Sequence, residues 1–530
     1  MRYEFDSPDY HFDLPENGIF VNQAGFEPEA KKSAVVLTGE DAYLVNELGE
    51  RIKLAAPVSM GHDLSAGEEV FVLDFTGVHT PGRYHIEQGG RRSACFEIGR
   101  GVTGAVLDAL MGIYYYQRCG CDVDERAGAA RHCACHMSDS ILYTDRSVRL
   151  SITGGWHDAG DYGRYVTAGA VAAAHLLLAI KLFGLDRAYL DEIRYELEWL
   201  LKMQSEDGSA YHKQTTLSHA AFCKPEEDVA DMYILPPSSW ATADLCAVCY
   251  LAAEFYEDDK EFKERLIGCA DRAWEWLVLH PDILRFKNPA DCSTGEYTEW
   301  DDKDNRLFAA AARYIRTKDE KAQEIAGALI KETGNLTGMG YANVGGLAGV
   351  CFMMDGTCDE EILSAFKGAF AYKATELMKV CAGAGYGISM HEYDFHWGSN
   401  SLLLSNACIL CFVSLFTDTE IDEGILQRHL DYILGRNALG ISYITGVGER
   451  CVSHPHARMA HAYEENFPGF VAGGPNTEPP EWQLKGHFVG IPPMKCYIDD
   501  VRFYSLNEVT IYWNSPAVIL VSCIEKMLSK

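Results

Sequence analysis

The chain has 530 residues, a formal net charge of −31 and 48% hydrophobic residues, enough for a packed core in two or more domains. Such an acidic surface repels phosphate backbones and anionic lipid heads, which argues against nucleic acid and acidic membranes as partners and leaves neutral or cationic ligands open. The opening residues, MRYEFDSPDY, carry no apolar leader core, so the expectation is a cytoplasmic enzyme whose 18 cysteines are reduced thiols, metal ligands or core residues.

Residues 1–99 read as a small β-sandwich, because β-prone runs at 33–37, 42–46, 70–75 and 83–86 are divided by Gly, Pro and Asp turns. From residue 100 to 530 the period changes, and helices are predicted over 102–118, 166–183, 188–203, 240–256, 259–279, 307–314 and 402–415, an all-α domain. The apolar run 166–183 contains Thr167, His175 and Lys181, which suits a helix buried among helices, and no membrane span is predicted. Long segments dense in Gly, Pro, His and aromatics, at 205–239, 285–304, 382–400 and 435–508, are read as walls of a binding cleft.

Two segments carry carboxylates suited to catalysis. In Gly154-Gly155-Trp156-His157-Asp158-Ala159-Gly160-Asp161-Tyr162-Gly163-Arg164-Tyr165, the two aspartates in a glycine-rich turn can point at one spot and deprotonate a water, or simply cap the following helix. Glu508 opens the apolar run Val509-Thr510-Ile511-Tyr512-Trp513-Asn514, where burial would keep it protonated as a general acid; its plainer reading is a first-turn residue favouring the helix dipole. A third constellation, Cys119, Cys135, His136 and His157, is a Cys2His2 set with the chemistry of a closed structural zinc site, although its spacing matches no standard finger pattern.

Taken in order, these motifs resemble glycoside hydrolase family nine, the cellulase family with an (α/α)6 barrel. The segment Ile19-Phe20-Val21-Asn22-Gln23-Ala24-Gly25-Phe26 and the stretch from Pro81-Gly82-Arg83-Tyr84 to Phe96-Glu97-Ile98 are similar to the immunoglobulin-like module that precedes the barrel in one branch. The resemblance implies an inverting β-glycosidase with Asp161 as base, Asp158 helping to hold the attacking water and Glu508 as acid. It also implies sugar contacts from His456 and Arg458 in Pro455-His456-Ala457-Arg458, from His212 in Tyr211-His212-Lys213, and from Trp397, whose alternative is a buried structural ring.

That branch carries zinc at positions matching Cys119, Cys135, His136 and His157, with Cys121 and Cys133 as competing thiols. Calcium is a second candidate cofactor, at Thr294-Gly295-Glu296-Tyr297 to Asp304-Asn305 and at Glu226-Glu227-Asp228, although Asn305 stands where relatives usually carry Glu. The expected substrate is β-1,4-linked glucan or its cello-oligosaccharide fragments. The alternatives are an exo-β-glucosaminidase acting on chitosan oligosaccharides, a non-catalytic carbohydrate-binding protein and, last, a zinc-dependent hydrolase, which a closed metal site disfavours.

Overall fold

The computed structural model describes residues 18–529. The opening residues read for a leader, and the start of the sandwich domain, lie outside them. The first domain packs two sheets from short strands: β1 (Ile19–Phe20), β2 (Gly25–Phe26), β3 (Ser33–Val36), β4 (Ala42–Asn46), β5 (Arg51–Lys53), β6 (Val58–Asp63), β7 (Glu68–Asp74), β8 (Gly82–Gln88), β9 (Arg91–Arg92) and β10 (Phe96–Ile98). One sheet runs β1-β3-β7-β6 and the other β2-β10-β8-β4-β5, with β9 paired to β8.

The period-2 rule decides which core each strand feeds. On β3, Ala34 and Val36 enter the sandwich with Phe26, Leu44, Ile86 and Phe96, whereas Val35 faces the other way. There it joins Phe20 and Val70 in the core of the helical domain. Polar contacts follow the same seam. Asn22 Nδ2 donates to Asp431 Oδ1 at 2.9 Å, Lys495 Nζ lies 2.6 Å from Glu68 Oε2, and Asp63 accepts the Gly385 and Tyr386 amides at 2.7 and 3.3 Å.

The last strand, β10, ends at Ile98 and the first helix begins at Val102, with Gly99-Arg100-Gly101 between them. The second domain is built on α1 (Val102–Tyr116), α2 (Val166–Leu178), α3 (Leu190–Lys202), α4 (Ser239–Ala252), α5 (Lys260–Leu279), α6 (Lys303–Thr317), α7 (Glu320–Ile330), α8 (Gly345–Asp355), α9 (Glu360–Gly383), α10 (Ser399–Phe416), α11 (Glu423–Ile433), α12 (Arg458–Tyr463), α13 (Tyr504–Asn507) and α14 (Ile511–Leu528). Helices α2, α4, α6, α8, α10 and α14 pack side by side into a closed ring. The other long helices form an outer layer, giving a mainly α, (α/α)6 arrangement.

Ring helices are apolar nearly all round, as α2 and α4 show by being buried at every residue. Outer helices are amphipathic: α3 buries Ile193, Leu197 and Leu200 and turns charges such as Asp191 outward, while Glu196 is buried and accepts the Trp156 amide at 2.6 Å. Helices α2, with its π-turn extension to Phe183, and α10 are long and apolar enough to cross a membrane, but both are ring helices buried in the barrel. The predicted 166–183 helix is therefore an α-helix to Leu178 closed by one π turn, and α10 begins earlier than predicted because Gly398, left-handed at φ 81, turns the chain into it.

Asp63 holds the two domains together through backbone donors that have no water to fall back on. Asp63→Ala is expected to destabilise the protein by about 2 to 4 kcal/mol by leaving two buried amides unpaired. Chemical denaturation of both proteins measures this, and a loss below about 0.5 kcal/mol would show that the seam is held elsewhere.

Candidate active site

The four loop-rich segments each send residues to one cleft of about 1210 Å³, among them His219, Tyr297, Trp397, His456, Arg458 and Tyr504. A fifth wall, residues 335–343, was not anticipated. Its Asn, Gly and Thr residues carry no chemical signature in sequence.

The aspartate turn is closed by the Asp158 N–H donating to Gly163 O at 2.9 Å. Neither aspartate caps the following helix, since Tyr165 occupies the N-cap of α2 with no side-chain cap. Gly160 is required by close approach: a Cβ there would stand 1.8 Å from His456 O. Gly160 O accepts both the Arg458 amide at 2.9 Å and Arg458 Nη1 at 3.0 Å, so the turn and the Pro-His-Ala-Arg strand are fastened backbone to backbone. That segment in turn meets Glu508, with the His456 amide donating to Asn507 O at 2.8 Å and His456 bridged to Glu508. Glu508 lies before Thr510, which caps α14 through the Trp513 amide, so it is outside the first helical turn.

The three carboxyls sit in unlike surroundings. Burial opposes ionisation of Asp161, but the His219 ring at 3.5 Å, the Arg458 guanidinium and the Gly163 amide at 3.2 Å outweigh it and hold Asp161 down at about 2. Tyr165 donates to the same oxygen at 3.3 Å. Burial, then the charge of Asp161, pushes Glu508 up to about 8; opposing it are Trp397 Nε1–H, which donates to Glu508 Oε2 at 3.0 Å, and the Arg458 charge. Burial and the Asp161 charge also drive Asp158 well above the carboxylate range. Its Oδ2 accepts from Tyr297, and its Oδ1 has no protein partner.

Among the expected sugar contacts, Trp397 is 45% exposed on the cleft, which decides against a buried structural ring. His456 donates from Nδ1 to Val501 O at 2.6 Å, and burial holds its ring down at about 4, so it is neutral. Arg458 commits Nε to Ala220 O at 2.8 Å as well as Nη1 to Gly160, so it braces the walls as much as it faces the cleft. The expectation for His212 is corrected. The ring is fully buried behind the wall, stacked on Phe286, with Nε2 donating to Glu296 O at 2.9 Å and Nδ1 accepting from Ser238 at 3.0 Å, leaving no nitrogen for a sugar.

Cys119, Cys135, His136 and His157 converge, with one ligand atom from each lying within 4.8 Å of the others. The distances between Cys119 Sγ and His136 Nδ1, Cys135 Sγ and His157 Nε2, and the two sulfurs are 3.6, 3.8 and 3.9 Å. Zinc bonds of about 2.0 to 2.3 Å give tetrahedron edges of roughly 3.3 to 3.8 Å, so the set fits a four-coordinate ion. His136 reaches its place through a left-handed backbone at φ 51, and Asp228 Oδ2 lies 3.2 Å from its Nε2, the outer-shell carboxylate expected behind a ligating histidine. Cys121 and Cys133 stand outside the set.

For calcium, neither segment gathers three or more ligand side chains among the described residues. Thr294 and Gly295 give their oxygens to Lys213 Nζ. Asn305 turns its Nδ2 to Asp244 at 3.1 Å, while Asn305 Oδ1 and Asp244 Oδ2 are buried without a hydrogen-bond partner. Glu227 accepts the Lys224 amide, and Asp228 faces His136. Among the described residues, the cysteine–histidine set is the only gathering of three or more potential ligand side chains.

Comparison with known proteins matches the helical domain, residues 104–521, to the family described as Glycosyl hydrolase family 9, and residues 15–93 to the Cellulase N-terminal ig-like domain. A cellodextrinase of Butyrivibrio fibrisolvens is 38% identical over 95% of this chain and 99% of its own length. A xyloglucan-specific endo-β-1,4-glucanase of Bacteroides ovatus is 29% identical over 97% of this chain and 94% of its own. Among solved structures, a single mutant of a thermostable endoglucanase from Alicyclobacillus acidocaldarius superposes with a TM-score of 0.90 at 31% identity, covering 96% of this chain and 99% of that one.

The Trp397 hydrogen bond favours the ionised form of Glu508, so Trp397→Phe, which keeps the ring and removes the donor, is expected to raise the Glu508 pKa above about 8. Carbon-13 NMR titration of the carboxyl reads this directly, and an unchanged or lower value would show that the bond does not tune the acid.

Proposed function

The chain belongs to glycosyl hydrolase family 9, and we propose that this glycoside hydrolase cleaves β-1,4-linked glucan fragments, cello-oligosaccharides foremost, with inversion at the anomeric carbon. The observation that carries the reading is the opposed protonation of two carboxyls on one cleft, Asp161 at about 2 and Glu508 at about 8. At neutral pH Glu508 retains a proton to give to the glycosidic oxygen, while Asp161 is ready to take one from a water. Asp158 Oδ1, without a protein partner, offers that water a second contact.

A cleft of about 1210 Å³ exceeds the roughly 300 to 1,000 Å³ of ordinary small-molecule sites and suits several linked sugars. The nearly full-length match to a cellodextrinase supports the same substrate class. A purely carbohydrate-binding protein would have no use for two carboxyls held in opposite protonation states. A cytoplasmic setting belongs to the same proposal and rests on the 18 thiols, which a reducing compartment accommodates.

The proposal extends to a structural zinc held by Cys119, Cys135, His136 and His157. Bound there, the ion would supply a closed tetrahedral crosslink, all four positions being met by protein ligands. His157 adjoins Asp158, and Asp228 behind His136 lies on the segment that brings His219 to Asp161, so the crosslink would brace both flanks of the base.

Incubation with cellotetraose, followed by proton NMR, is expected to show α-anomer release first; the β-anomer first would overturn inversion. The rate should fall as pH rises through about 8, where Glu508 loses its proton, and on the acid side only near 2, where Asp161 gains one. Glu508→Gln is expected to lower kcat by about 10²- to 10⁴-fold. Metal analysis should find about one zinc per chain, lost together with thermal stability in Cys135→Ser. An unchanged zinc content in that variant would remove Cys135 from the site.

A further inference from the structure

One buried charge beside the cleft has no part in the proton transfers described above. Lys213 is 0% exposed, a place where a lysine persists only if its ammonium is fully paired. Its Nζ lies 2.6 Å from Gly295 O, 2.7 Å from Asn288 Oδ1, 3.1 Å from Thr294 Oγ1 and 3.4 Å from Thr294 O. The Tyr165 and Phe286 rings flank it at 5.4 Å each. Two carbonyls, a hydroxyl and an amide oxygen converging on one point are the ligand chemistry of a hard cation, and here an ammonium occupies that point.

The loop closes round this centre. Asn288 donates from its backbone to Glu296 Oε2 at 2.9 Å and from Nδ2 to Thr294 O at 2.6 Å, and His212, the neighbour of Lys213, holds Glu296 O. The next residue is Tyr297, left-handed at φ 49, a conformation that a tyrosine keeps only where its surroundings impose it. Its hydroxyl donates to Asp158. The chain of contacts therefore runs from the ammonium, through the 288–296 loop, to Asp158, the first aspartate of the turn.

We infer that Lys213 is a positioning residue: its ammonium is the built-in cation of the 288–296 loop and, by gathering those oxygens, fixes Tyr297 against Asp158 in place of a divalent ion. The kinetic consequence rests on the hydrolase reading; the loop geometry does not.

Hydrogen exchange of amides 288–297 tests the loop without any substrate. In the wild-type protein, exchange there is expected to be equal in calcium and in EGTA; loosening in EGTA would overturn the inference, because an ion would then be holding the loop. In Lys213→Ala, exchange is expected to rise by about tenfold or more and to slow again with ethylammonium but not with ethanol. Equal slowing by both would show lost packing rather than lost charge and overturn it. Should that variant fail to fold, Lys213→Met keeps the apolar stem, and wild-type exchange in it would be equally fatal. With cellotetraose, kcat of either variant is expected to fall about 10²-fold with KM little changed, as for a misplaced catalytic group. A wild-type protein that hydrolyses nothing would sink the proposed activity and leave the loop measurement standing.

Discussion

The cleft depends on a single negative charge, that of Asp161, being kept ionised where burial would neutralise it. His219, Arg458 and the Gly163 amide do this together, and once the charge is fixed it acts on its neighbours. Burial first, and that charge second, push both Asp158 and Glu508 upward, so the ionised group widens a difference that burial begins. The three carboxyls are thereby told apart by their surroundings, not by any difference between the side chains themselves.

Holding that charge requires parts of the chain that are far apart in sequence to meet within bonding distance. The aspartate turn precedes α2, the Pro-His-Ala-Arg strand leads into α12, and Glu508 lies between α13 and α14. The closed ring of helices brings these segments to one cleft, and short backbone bonds such as that from the Arg458 amide to Gly160 O make the meeting rigid. Asn507 shows how far this goes, since its amide donates to Ile498, Asp500 and Phe503 carbonyls while its oxygen accepts from Tyr497, fixing the segment just before the acid.

Much of this was legible in the sequence, because the residues concerned carry their chemistry with them. Paired aspartates among glycines, Glu508 before an apolar run, and two cysteines with two histidines remain suggestive in any fold. Strand runs such as β3, β4, β7 and β8 and the outer helices α1, α3 and α5 were legible through their periods, whereas the outer helices α7, α9 and α11 were not among the predicted ranges. Helix α8 shows the limit: GGLAGVCFMMD is apolar on every side and rich in glycine, so it has neither period nor propensity to mark it. His219 lies in no motif and Tyr297 was read only as part of a calcium segment, so neither was expected beside the aspartates; only the folded loops carry them to Asp161 and Asp158. His212 and the calcium ligands erred in the opposite direction. The residue types were suitable, but both His212 nitrogens and the Thr294 and Gly295 oxygens are committed to partners inside the protein, and sequence does not reveal prior commitments of that kind.

The alternation on β3 separates this β-sandwich from a tethered accessory module. A domain joined by a linker can be lost or exchanged with little effect on its neighbour, because each part keeps its own interior. Here Phe20, Val35 and Val70 belong to the interior of the barrel, so part of the larger domain's core is encoded in the smaller one. Removing the sandwich would expose the apolar residues packed against Phe20, Val35 and Val70 to water, so the larger domain's fold draws on the smaller one.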